Sequence, residues 1–149
     1  MAKLYLWNSI AKRRRSISDT FYDNGLATLR GYLQDKGHDI EIIDWARNDF
    51  FQSLTPLFLA GLLRSIYAYM KKSRSSFART LLGVVSIQLQ ELLGFIQDLR
   101  LKKHIRAFAQ RLKNNNARIV GVKLWYGEAY QNAKYLIRLL KKISPETIT

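Results

Sequence analysis

Between Leu4 and Trp45 the hydrophobic positions change period twice. Leu4 to Trp7 is an unbroken apolar run, LYLW, closed by Asn8-Ser9, and it predicts a strand. Leu26, Leu29 and Leu33 then recur at helical spacing with polar residues between them. Asp23 or Asn24 offers a side-chain oxygen to the orphan N–H groups at that helix start. Gly37 follows the last turn, where a left-handed residue needs no Cβ. Ile40, Ile42 and Ile43 form a second, β-branched run ending at Asp44. Strand, helix, glycine, strand is the opening of a doubly wound α/β domain, which binds ligands beyond the carboxyl ends of its strands. The positions that matter therefore follow Trp7, Asp44 and the third strand.

From Arg47 to Arg79 the period turns helical. Leu54, Leu57, Phe58, Leu62, Ile66, Tyr69 and Met70 fall three or four apart, which predicts one buried stripe, and Pro56 suits a first turn. Lys71 to Ser76 (KKSRSS) reads as an exposed basic turn. A second helical region runs from about Phe77 to Lys113. In it Val85, Leu89, Leu92, Ile96 and Leu99 make one stripe, and Leu101, Ile105, Phe108 and Leu112 a second, rotated about the axis. That shift predicts a kink, or two helices meeting near Arg100. Asn114-Asn115-Asn116 ends the region, because asparagine tolerates left-handed geometry.

Arg118 to Lys123 (RIVGVK) reads as the third strand, apolar as a strand covered on both faces should be. Ala129, Ala133, Leu136, Ile137 and Leu140 predict one more amphipathic helix, stopped at Ser144-Pro145. Glu146 to Thr149 opens a fourth strand, so the sequence reads as part of a longer domain. The expected architecture is α/β: a doubly wound, Rossmann-like or flavodoxin-like parallel sheet over residues 1–149, truncated to about four strands. A helical insertion over about 47–100 lies between strands two and three.

Composition narrows the chemistry. The 149 residues can bury a core, and 48% hydrophobic content excludes a disordered chain. Without cysteine there is no disulfide, thiolate metal site or cysteine nucleophile, and a cytoplasmic location is the default expectation. The start, MAKLYLW, lacks the pattern of a signal peptide. Thr55–Met70 is the best membrane candidate, but it is shorter than the roughly 20 apolar residues a span needs and Arg64 interrupts it. No transmembrane segment is expected, although the basic residues that follow suit an interfacial helix. The formal net charge of +14 favours polyanions: nucleic acid, acidic lipid or a phosphorylated cofactor.

The loop from Ile10 to Asp23 contains no glycine, so the GxGxxG turn of a dinucleotide site is missing. That excludes a nicotinamide enzyme and leaves Asp44 as a strand-ending or capping carboxylate. His38 falls at a strand start, the wrong end of the sheet for a ligand. His104 lies in a helix without carboxylate or thiolate companions, so no metal site is expected.

Gly25, Leu26, Leu29, Tyr32, Leu33, Gly37, His38 and Asp44, followed by Ile119, Val120 and Gly121, carry a family pattern. It is a helix of the type G-L-x-x-L-x-x-Y-L before G-H-x-(V/I)-x-(I/V)-x-D, then a strand with (I/V)-V-G. This resembles the amino-terminal B12-binding domain of cobalamin-dependent radical SAM enzymes, over about two thirds of the chain. The cobalt-ligating Asp-x-His-x-x-Gly motif of B12-dependent mutases is absent, as in many radical SAM members. The resemblance implies cobalamin as cofactor and partner. The 4Fe-4S cluster and S-adenosylmethionine would belong to a downstream radical SAM domain, so this chain alone would not be catalytic while the full-length parent would be a methyltransferase-like enzyme.

A corrin ring needs a concave, partly apolar floor and a few hydrogen-bonding groups. The strand-end residues Asn8 and Ser9, with Leu124, Trp125, Tyr126 and Gly127, are the expected cofactor-binding positions. Gly127 would admit close backbone approach and Trp125 or Tyr126 could lie against the ring, although core packing accounts for those aromatics equally well. Lys12 to Arg15 could meet a nucleotide phosphate or stay solvated. A basic nucleic-acid-binding α/β module is the alternative that charge alone supports.

Overall fold

The computed structural model describes residues 3–10, 24–124 and 127–149. Its elements run β1 (Leu4–Asn8), α1 (Asn24–Asp35), β2 (Ile40–Asp44), α2 (Asn48–Leu54), α3 (Leu57–Lys72), α4 (Ser76–Asn114), β3 (Ile119–Lys123) and α5 (Glu128–Ile143). They form two compact units. Met1–Phe51 with Lys102–Thr149 makes a sheet unit, and Gln52–Leu101 makes a helical one.

In the sheet unit β1 is central. It pairs in parallel with β2, Leu4 facing Ile40 and Asn8 facing Asp44. On its other side it pairs in parallel with β3, Leu4 facing Ile119 and Asn8 facing Lys123, so the order is β2-β1-β3. Where a fourth strand was expected, Ile148 forms an isolated parallel bridge to Ile119. The Ile148 N–H donates to the Arg118 carbonyl and the Val120 N–H donates to the Ile148 carbonyl, each at 2.8 Å.

Side chains alternate between the faces of the sheet. On one face Leu6, Leu26 and Ile40 form a core to which Leu4, Leu33 and Ile42 add, which fixes α1 there. Leu29, the middle residue of the predicted stripe, is 41% exposed. On the other face Tyr5 and Trp7 are fully buried. The Trp7 ring lies 6.1 Å from Phe108 and meets Trp45 edge-on at 5.3 Å. Trp45 stacks on Phe50 at 4.7 Å, and His104 stands edge-on to Phe50 at 5.4 Å. The Asn115 amide donates to the Tyr5 hydroxyl at 2.9 Å. The sequence stripe Leu101, Ile105, Phe108, Leu112 is buried as predicted.

Two helix ends follow the chemistry of their sequences. Gly37, at φ 82°, sends its N–H to the Gln34 carbonyl while the His38 N–H reaches Leu33, a Schellman cap. Asn116, at φ 50°, does the same for α4, with Asn116 bonded to Lys113 and Ala117 to Leu112. His38 is thus a cap residue. The Asp23 cap and Lys12 to Arg15 fall outside the described residues.

The helical unit pairs α3 with the first part of α4 across a turn at Ser73–Ser75, where the sequence placed it. Two expectations fail here. α4 runs unbroken through Arg100 as 39 residues, so the shifted stripe marks a change of unit and not a second helix. A helix can change the face it buries without breaking its backbone bonds. The apolar stripes are also not uniformly buried: Leu57 and Phe58 are 85% and 79% exposed, and Val85, Leu92 and Leu99 are exposed as well. What α4 buries in this stretch is Ser86 and Gln97. Leu54 and Ile66 of the predicted stripes are buried and Met70, Leu89 and Ile96 half-buried, so hydrophobic spacing recorded the helices but only part of their buried faces.

Candidate functional site at the strand-end rim

Because β2 and β3 lie on opposite sides of β1, the chain leaves β1 in one direction and returns to its other edge later. In open parallel sheets that reversal opens a crevice beyond the strand ends. Here it is flanked by Asn8 and Lys123, paired across the β1–β3 ladder.

Asn8 is 3% exposed. Its amide nitrogen donates to Asp44 Oδ1 at 2.9 Å, and the same oxygen accepts the Ala46 N–H at 3.0 Å. Asp44 therefore ends β2 with an Asx-type turn, the capping role its position suggested. The Trp45 N–H donates to the Asn8 carbonyl at 2.9 Å, extending the β1–β2 pairing by one residue. Asn8 Oδ1 is buried without a hydrogen-bond partner among the described residues. Such an oxygen costs about 1–3 kcal/mol unless something donates to it.

Ser9 is buried, its hydroxyl donating to the Ile10 carbonyl at 3.5 Å, a long bond. That carbonyl also accepts the Asn132 amide of α5 at 3.1 Å, which ties the residues after β1 to the first turns of α5. Leu124 follows β3 directly and is 63% exposed. Gly127 takes φ 78° immediately before α5, a conformation that a Cβ would strain. Of the six predicted positions, Asn8, Ser9 and Leu124 thus meet at the β1–β3 strand ends, and Gly127 opens α5. Trp125 and Tyr126 fall outside the described residues.

A groove of about 310 Å³ runs beside this rim, lined by Leu6, Gly25, Leu26, Leu29, Gly121 and Lys123, with Val122. It lies between α1 and β3, and its walls are mostly apolar. Burial lowers the Lys123 pKa from its ordinary 10.5, because a partly desolvated ammonium is less stable than one in water. Gly121 holds the groove close to Leu6: a Cβ there would stand 2.6 Å from Leu6 Cδ2.

Sequence reasoning missed Lys123 and the groove. Gly121, a lone glycine inside an apolar strand, was the available signal, since such glycines mark close approach. His38 sits at the other end of the strands, next to Asp39, whose carbonyl accepts the Leu4 N–H. His104 belongs to the aromatic cluster with Trp45 and Phe50.

The site defines an α/β protein with a small parallel sheet and a polar rim beside an apolar groove. No family model, curated protein or solved structure matches the chain.

Proposed function

We propose that the sheet unit is the cobalamin-binding part of a doubly wound, flavodoxin-like domain. In this reading residues of about 47–100 are a helical insertion, and Ile148 begins the fourth strand, giving the order 2-1-3-4. The observation that carries the proposal is Asn8 at the reversal of strand order, with a buried carbonyl oxygen lacking a donor among the described residues. The amide fringe of a corrin supplies N–H donors, and the flat ring would lie across the rim at Asn8, Ser9, Leu124 and Gly127. The groove is at the small end of ligand sites, which run from about 300 Å³, so it would take only a side branch of so large a cofactor.

Within this reading the chain's own residues hold and orient. Asp44 fixes the Asn8 amide so that its oxygen faces outward from that bond. Gly127 would permit close backbone approach, with Trp125 and Tyr126 completing the floor. Bound cobalamin would carry a methyl group or assist a radical rearrangement. The 4Fe-4S cluster and S-adenosylmethionine would be held by a partner radical SAM domain, and the substrate would be chosen there.

The experiment is gel filtration of the purified chain with hydroxocobalamin, followed by the absorbance spectrum of the protein peak. Co-elution with an altered spectrum, lost in Asn8→Leu, is the expected result. Absence of retention at micromolar cofactor refutes the proposal. A basic nucleic-acid module is supported by the +14 charge alone. Binding to duplex RNA that survives a rise in salt, together with no cobalamin retention, would favour it.

A further inference from the structure

The helical unit exposes more large apolar side chains than it buries. Between its helices Leu63 and Ile66 are buried and Leu82, Leu89, Leu93 and Ile96 half-buried, with small and polar residues among them. The Gln97 amide donates to the Thr55 hydroxyl at 2.9 Å, the Gln90 amide donates to the Tyr67 hydroxyl, and buried Ser86 donates to the Gly83 carbonyl at 2.8 Å. Gly83 lies close to Met70, its Cβ position 3.8 Å from the Met70 methyl. On the outward side Phe77, Leu81, Val84, Leu92, Phe95 and Leu99 are all 46–79% exposed. Only 11% of the most apolar eighteen-residue window of α4 is buried, and the helix is long and apolar enough to cross a membrane by length and composition. A hairpin in water keeps so long an apolar stripe covered, whereas a stripe left bare along the outer side of α4 suits lipid.

Charge selects the occupant. Gln52–Leu101 contains six basic residues and two acidic ones. Lys71, Lys72, Arg74 and Arg79 gather at the hairpin turn and Arg100 marks the far end, about 30 Å from Arg79 along the axis at 1.5 Å per residue. A second copy would bring like charges together, whereas anionic headgroups neutralise them. Gln88 and Glu91 are exposed midway along α4. Glu91 shares the outward side with Val84 and Phe95, seven and four residues away, so a spanning hairpin would hold it at mid-bilayer and draw the cations of the turn through hydrocarbon, whereas an in-plane helix keeps it within side-chain reach of the headgroups. We infer that the α3–α4 hairpin docks in the plane of one leaflet of an anionic bilayer. Its outward apolar stripe lies among the upper acyl chains and its terminal cations among the headgroups. This inference does not depend on the cobalamin reading.

The full chain is floated with vesicles of phosphatidylcholine alone or containing phosphatidylserine. Flotation with the anionic vesicles is expected, falling as salt rises. It should weaken about tenfold or more in Leu92→Ser/Phe95→Ser, since each side chain removes apolar area from the lipid contact. Both positions are exposed, so circular dichroism should be unchanged. Phe95→Trp gives a second readout: an emission blue shift on anionic vesicles and quenching by lipids brominated near the headgroup end of the chain. Failure to float overturns the inference. So does flotation indifferent to Leu92→Ser/Phe95→Ser, which would mean charge attraction alone. Vesicle-independent dimers dissolved by the same substitutions would assign the stripe to a second copy and overturn it too.

Discussion

Gly121→Ala tests the packing that shapes the groove. The new methyl carbon would lie 2.6 Å from Leu6 Cδ2 and 3.7 Å from the Tyr5 carbonyl oxygen. Carbon pairs settle at about 3.5–4.0 Å, so Leu6 must retreat by about 1 Å. Leu6 is 4% exposed and packed on Leu26 and Ile40, and the groove it lines offers it room to retreat. Forcing a methyl into a packed core costs about 1–3 kcal/mol. Against that, alanine in a strand recovers about 0.5–1 kcal/mol of the backbone entropy glycine loses. The net expectation is a destabilisation of about 1 kcal/mol, read as a lower urea midpoint at unchanged slope and a melting point about 2–4 °C lower. The decisive measurement is the double-mutant cycle. Leu6→Ala alone should cost about 2–5 kcal/mol. In that background the methyl at 121 has room, so Gly121→Ala should change sign and stabilise by about 0.5–1 kcal/mol. A coupling of about 1–3 kcal/mol is therefore expected. If the two substitutions add to within about 0.5 kcal/mol, the contact with Leu6 is not why glycine stands at 121.

Two further outcomes follow from the sheet unit. Tyr5→Phe should cost about 0.5–1.5 kcal/mol, whereas Asn115→Ala should cost more, since it leaves the buried Tyr5 hydroxyl without its donor; equal costs in urea melts would contradict this. Lys123 has a pKa lowered by burial, so its charged form is disfavoured in the folded chain. That penalty is present at neutral pH and fades as pH rises through the depressed pKa toward 10.5. The stability difference between Lys123→Met and the parent should consequently move in the parent's favour as pH rises in alkaline melts; a move in favour of Lys123→Met would reverse the assignment.

Local chemistry in the sequence determined the elements of the sheet unit. The LYLW run, the leucine spacing before Gly37, the isoleucines before Asp44 and the three asparagines after Lys113 each act over a few residues, and each led to the element observed. Asp44 was legible for the same reason, since an Asx turn reaches only to Ala46. Of the candidate site, Asn8, Ser9 and Leu124 were legible as strand-end residues. Their meeting at one place depends on the order β2-β1-β3, which no local pattern encodes.

Tertiary structure alone decided three things. It paired Asn8 with Asp44 and left Asn8 Oδ1 without a donor among the described residues, because that balance depends on two strands far apart in the chain. It opened the groove over Gly121, between α1 and β3. It also turned the apolar stripe of α4 outward. Hydrophobic periodicity gives the phase of a stripe around a helix axis but not the medium it faces. Ser86 and Gln97 are buried with hydrogen-bonding partners, among half-buried Leu82, Leu89, Leu93 and Ile96, while Leu81, Val84, Leu92, Phe95 and Leu99 stay exposed.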